Sequence, residues 1–154
     1  MNKENLLILA DGLEDIELIH FDMVEYRDGE IEMHLPNNDC GSIGCALGWA
    51  PKIKGLEAID IDVDSDKDFS FSKYCDRVLE LPNESEEWDW CFSADWTDID
   101  NTPYGASLRI RELAETGLPT YSYTQMIGEI PYQFEDQVKA FYERKSEREL
   151  RRNS

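Results

Sequence analysis

Residues 40–55 read Cys-Gly-Ser-Ile-Gly-Cys-Ala-Leu-Gly-Trp-Ala-Pro-Lys-Ile-Lys-Gly. Glycines, alanines and one tryptophan recur here at helical spacing. Gly44 and Gly48 are four residues apart and share a helical face. Glycine costs a helix about 1 kcal/mol relative to alanine, so two in two turns imply that another backbone comes close. Asp39 or Ser42 can cap the start. Pro51 disfavours helical geometry at Ala50 and ends the element. The stretch predicts a short helix set into the core, anchored by Trp49, with Gly55 closing a turn.

The surrounding chain supplies what this helix packs on. Leu6, Leu9, Ala10, Leu13 and Ile16 or Leu18 recur at three- and four-residue steps, which predicts a helix over 3–18. Phe21, Met23 and Tyr26 join the core. Ile31, Met33 and Leu35 alternate with Glu32 and His34 as a short strand does. Phe71, Tyr74 or Cys75, Val78 and Leu81 form one helical face, stopped by Pro82. Ser85 caps a helix whose face runs Trp88, Phe92, Trp96. Thr102 and Pro103 start another, with Ala106, Ile110, Leu113 and Ala114 buried and Gly117 at its end. Arg109 and Arg111 are expected exposed or against the acids before them. Thr120 to Met126 carries a weaker strand pattern. A last helix starts near Phe134 and, polar on all sides from about 143, continues as a solvated or frayed helical tail. The expected fold is α+β: one mainly helical domain over 1–154, with a small sheet from 30–35, 58–64 and 120–126.

The motif Cys40-Gly41-Ser42-x-x-Cys45-Ala46-x-Gly48-Trp49-Ala50-Pro51 resembles one in small acidic bacterial and phage proteins. Leu9-Ala10-Asp11, Phe21-Asp22-Met23 and Asp100-Asn101-Thr102-Pro103 add to the resemblance, which spans three quarters of the chain. It implies a phage or mobile-element setting and brings no functional residue with it.

Charge is the dominant compositional fact. The 154 residues carry a net charge of −19, with four Trp, seven Tyr and six Phe. That aromatic content argues for a packed core. The acidity opposes direct nucleic-acid binding, which needs clustered Lys and Arg, and opposes anionic membrane surfaces. It favours a basic protein partner. Residues 57–100 hold fifteen acids against three bases, whereas 139–154 hold six bases and three acids. The N-terminus lacks a secretory layout and four cysteines read as reduced thiols, so a cytoplasmic setting is expected.

Within 57–68, Ile59, Ile61 and Val63 alternate with Asp60, Asp62 and Asp64. On a strand this sets carboxylates about 6.7 Å apart. At that distance they repel by about 0.6 kcal/mol per pair even in water. A calcium loop fails, because its sixth and twelfth positions from Asp60 are Ser65 and Phe71. Cys40 and Cys45 lack the paired partners of a zinc site, and buried structural thiols are the simpler reading. His20 and His34 have no motif around them.

Three function classes follow. The first is a non-enzymatic acidic module that occupies a basic groove, such as that of a nucleic-acid enzyme, in place of the natural polyanion. Its contacts are expected at Asp60, Asp62, Asp64, Asp66 and Asp68, with Glu84, Glu86, Glu87 and Asp89. Duplex DNA carries charges about 3.4 Å apart along each strand, so alternate-residue carboxylates match about every second phosphate. In a phage setting this is an inhibitor of a host protein. The second class is a small hydrolase or metal-dependent enzyme built on carboxylates with His20, His34 or Cys40. The third is an assembly protein binding through exposed aromatics. The first is preferred, with no catalytic residue, metal ligand or cofactor assigned.

Overall fold

Helix α1, Lys3–Leu13, buries Leu6, Leu9, Ala10 and Leu13 on one stripe, the three- and four-residue spacing of an amphipathic helix. Each buried leucine contributes roughly 1.5–3 kcal/mol. The computed structural model describes residues 1–23, 45–57, 71–82, 85–117 and 131–153. Among these, the elements after α1 are a 3-10 turn Leu18–His20, α2 Ala46–Trp49, a 3-10 turn Ala50–Lys52 and α3 Phe71–Tyr74. A π turn Cys75–Leu79, α4 Glu86–Phe92, a 3-10 turn Ala94–Asp98, α5 Pro103–Thr116 and α6 Glu135–Arg152 complete them.

The α+β expectation is corrected here. The described residues form helices and turns, with no strand and no sheet among them. All three segments expected to form the sheet, 30–35, 58–64 and 120–126, lie outside the described residues. What organises the rest is helix against helix, and α1 on α5 is the most extensive contact. Ala106, Ile110, Leu113 and Ala114 are buried on α5 as their spacing requires. Thr102 Oγ1 accepts from Gly105 N at 3.0 Å to cap that helix, and Gly117 ends it at φ +84°.

The central helix is shorter than its sequence suggests. Its α-helical part is only Ala46–Trp49, and the cap is the Cys45 thiol, whose Sγ accepts from Gly48 N at 3.3 Å. Asp39 and Ser42 lie outside the described residues. Trp49 is half-buried and its Nε1 donates to His20 O at 2.8 Å. Gly12 lies within α1, where glycine ordinarily weakens a helix. In the fold it is a contact, because a Cβ there would stand 2.7 Å from Ile53 Cδ1.

Helix α3 widens into the π turn and stops at Glu80, in the left-handed region at φ 54°. The wider turn leaves carbonyls for other partners. Val78 O accepts from Asn5 Nδ2 at 2.7 Å and Leu79 O from Asn2 N at 2.8 Å. These bonds fix the start of α1. The last helix continues through the polar tail beyond 143 to Arg152. It is joined to the body by Phe141, stacked on Tyr104 at 3.9 Å, and by Tyr142 OH, which accepts from Tyr104 N at 3.2 Å.

Candidate functional site

Ser85 sets the acid-bearing helix. Its Oγ accepts from Trp88 N at 3.1 Å and donates to Pro82 O at 2.7 Å. Glu86, Glu87 and Asp89 then occupy the first turn of α4, where carboxylates gain about 0.3–1 kcal/mol from the helix dipole. The opposite side of α4 buries Trp90, Cys91 and Phe92. Trp90 Nε1 donates to Arg109 O at 2.7 Å, and Trp96 Nε1 donates to Trp90 O at 2.9 Å. Two buried indoles, in edge contact at 5.4 Å, therefore hold α4 and the next turn as one rigid unit. That turn presents Asp95 and Asp98 to solvent.

Of the nine residues expected at the acidic face, Glu86, Glu87 and Asp89 are described. Glu86 is exposed and the other two are half-buried. Asp60, Asp62, Asp64, Asp66, Asp68 and Glu84 lie outside the described residues. Asp95 and Asp98 were absent from the expected set. The helical face drawn through Trp88, Phe92 and Trp96 hid the break at Ser93, whose Oγ caps the new turn.

Acidity in this region is not all surface. Asp100 is buried and forms a knot with Arg109 and Tyr132. Arg109 Nη1 donates to Asp100 Oδ2 at 3.3 Å and to Tyr132 OH at 2.7 Å. Tyr132 OH donates to the same Asp100 oxygen at 2.6 Å, and Thr102 Oγ1 donates to Asp100 Oδ1 at 2.5 Å. The guanidinium lies 4.5 Å from the Trp96 ring centre, a cation–π geometry. Burial holds the Tyr132 hydroxyl above its ordinary range. The expectation that Arg109 is exposed is wrong in position, while its meeting with a preceding acid is found. Arg111 turns instead to α1, with Nη2 2.6 Å from Asp11 Oδ1 and Nη1 2.6 Å from Glu14 Oε1.

Thiol chemistry has no place at Cys45, Cys75 or Cys91. All three are free and buried. Burial pushes the Cys45 thiol up to about 11 and the Cys75 thiol to about 12, and raises Cys91 as well. A nucleophilic cysteine needs the reverse. Cys40 and His34 lie outside the described residues, and His20 is half-buried, its carbonyl taken by Trp49. No group of three metal-ligating side chains occurs among the described residues. Nor is any described helix long and apolar enough to cross a membrane. Trp90 and Trp96 are fully buried, and Trp49 and Trp88 pack against the core half-buried.

A second feature is a cleft between the end of α1 and helix α6. It has a volume of about 340 Å³. One wall carries Glu14, Asp15 and Glu17, the other Phe141, Lys145, Arg148, Glu149 and Arg152. Lys145, Arg148 and Arg152 follow Phe141 at helical spacing, so the tail that reads as polar on all sides has a basic stripe. No protein-family model, curated protein or solved structure matches the chain.

Proposed function

We propose that this protein is a non-enzymatic acidic binding module whose α4 region engages a basic protein surface in place of a polyanion. The observation that carries this reading is how the ion pairs are distributed. Every ion pair found among the described residues uses an arginine of α5, Arg109 or Arg111. None of these pairs reaches Glu86, Glu87, Asp95 or Asp98. Carboxylates on a rigid mount, outside the ion pairs formed among the described residues, suit a cationic partner. The net charge of −19 gives the same direction at long range.

A capture experiment tests the reading. Immobilised protein is exposed to cell lysate, and retained proteins are challenged with duplex DNA. The expected result is a basic nucleic-acid-binding protein that DNA displaces and that is not retained by a variant carrying Glu86→Gln, Glu87→Gln, Asp95→Asn and Asp98→Asn. Retention that DNA and these substitutions leave unchanged would overturn the proposal. A phage-type inhibitor is the sharper form, and it requires that the captured protein lose nucleic-acid binding in the complex.

A further inference from the structure

We infer that the cleft between the end of α1 and helix α6 is a self-association surface that takes a second copy of this chain. The argument begins with charge. A protein of net charge −19 repels its own copies over most of its surface. Salt screens that repulsion beyond about 8 Å at physiological ionic strength, so the charges within a contact decide whether two copies can touch. In this cleft those charges cancel. Glu14 is bonded to Arg111, and the remaining carboxylates, Asp15, Glu17 and Glu149, are matched by Lys145, Arg148 and Arg152.

The arrangement is also self-complementary. A two-fold contact sets residue i against j of the second copy, and j against i. A face with one acidic wall and one mainly basic wall, the latter holding Glu149 among three bases, meets that requirement, because each acidic wall lies against the other copy's basic residues. Among the described residues no ion pair joins the two walls within one chain, so Asp15 and Glu17 on one wall and the three bases on the other remain available.

Apolar surface supplies the remaining element. A neighbouring cleft of about 250 Å³ shares Glu17 and Lys145 and is lined by Leu18, Ile19 and Tyr142. Ile19 is 72% exposed and Leu18 47%. Two of the four large hydrophobics exposed among the described residues, Leu18 and Ile19, thus line this corner. With Glu14 neutralised by Arg111, acids and bases balance here, and this surface is separate from α4.

Sedimentation of the purified full chain tests the inference, with a charge swap as the control. The wild type is expected to dimerise with rising concentration up to ~100 µM, within the range of weak specific contacts. Ile19→Asp, Glu17→Lys and Lys145→Glu should each give a monomer, with circular dichroism unchanged for the two charge variants. Mixing the Glu17→Lys and Lys145→Glu proteins should restore a dimer, because each reversed residue then faces its opposite on both sides of the two-fold axis. A wild type that stays monomeric would overturn the inference, including one that binds only some other protein. A dimer that survives Lys145→Glu, or a mixture that remains monomeric, would overturn it equally. These outcomes are independent of the α4 substitutions.

Discussion

The Asp100 carboxylate meets the Arg109 guanidinium inside the core, Oδ2 to Nη1 at 3.3 Å, with 4% and 0% of the two side chains exposed. Three pieces of chain converge on that contact. Asp100 ends the acid-bearing turn, Arg109 belongs to α5, and Tyr132 leads into α6. Removing one partner of a buried pair leaves the other charge uncompensated, at a cost of about 3–5 kcal/mol. Asp100→Ala and Arg109→Ala should each lose stability of that order in urea titrations. The double variant Asp100→Leu/Arg109→Met should lose much less than the two single losses added together. Additive losses would show that the two groups act separately.

Gly105 offers a test in which two principles give opposite signs. It lies inside α5, where alanine is ordinarily about 1 kcal/mol better than glycine. A Cβ there would stand 1.7 Å from Asp100 Oδ2. That oxygen is held by Tyr132 and Arg109 and cannot swing aside without breaking the knot. Gly105→Ala is therefore expected to destabilise by about 1–3 kcal/mol, the range for overpacking. A gain in the same denaturation measurement would show that the carboxylate moves freely.

The buried thiols set an alkaline limit. Cys45 and Cys75 are raised by burial from an ordinary 9.0 to about 11 and about 12. Below pH 9 both states hold the proton, and these groups leave stability unchanged. Above it the unfolded chain releases protons that the folded chain retains. Stability then falls by up to about 1.4 kcal/mol per pH unit for each such thiol. Unfolding free energies at pH 7.5, 9.5 and 10.5 should decline across the last two points, and thiol reagents at pH 8 should label the folded protein slowly. Flat stability to pH 10.5 would contradict the burial of these groups.

Much of the helical plan is legible in the sequence because it rests on local chemistry. Thr102-Pro103 and Gly117 bound α5, Ser85 caps α4, and the leucines of α1 face inward, each from residues a few positions apart. What failed was non-local. Arg109 reads as a surface residue because nothing nearby in sequence reveals that Tyr132 and Trp96 enclose it. The cap of α2 is a cysteine, a residue outside the usual capping set. The break at Ser93 was hidden by a tryptophan spacing that continues through it. The basic stripe Lys145, Arg148, Arg152 gains meaning only once α6 lies beside Glu14 to Glu17. Of the acidic site, the α4 carboxylates were legible from composition, whereas the absence of Glu86 and Glu87 from the ion pairs among the described residues is a property of the fold.

The most direct test of the central claim is the affinity of the captured basic partner measured over a range of salt concentrations. The native protein is compared with the variant neutralised at Glu86, Glu87, Asp95 and Asp98. Acidic mimicry predicts binding for the native protein that weakens steeply with salt, and for the variant about ten-fold or more loss at low salt with a shallower dependence. Coincident curves for the two proteins would contradict a role for the α4 carboxylates and, with it, the proposed function.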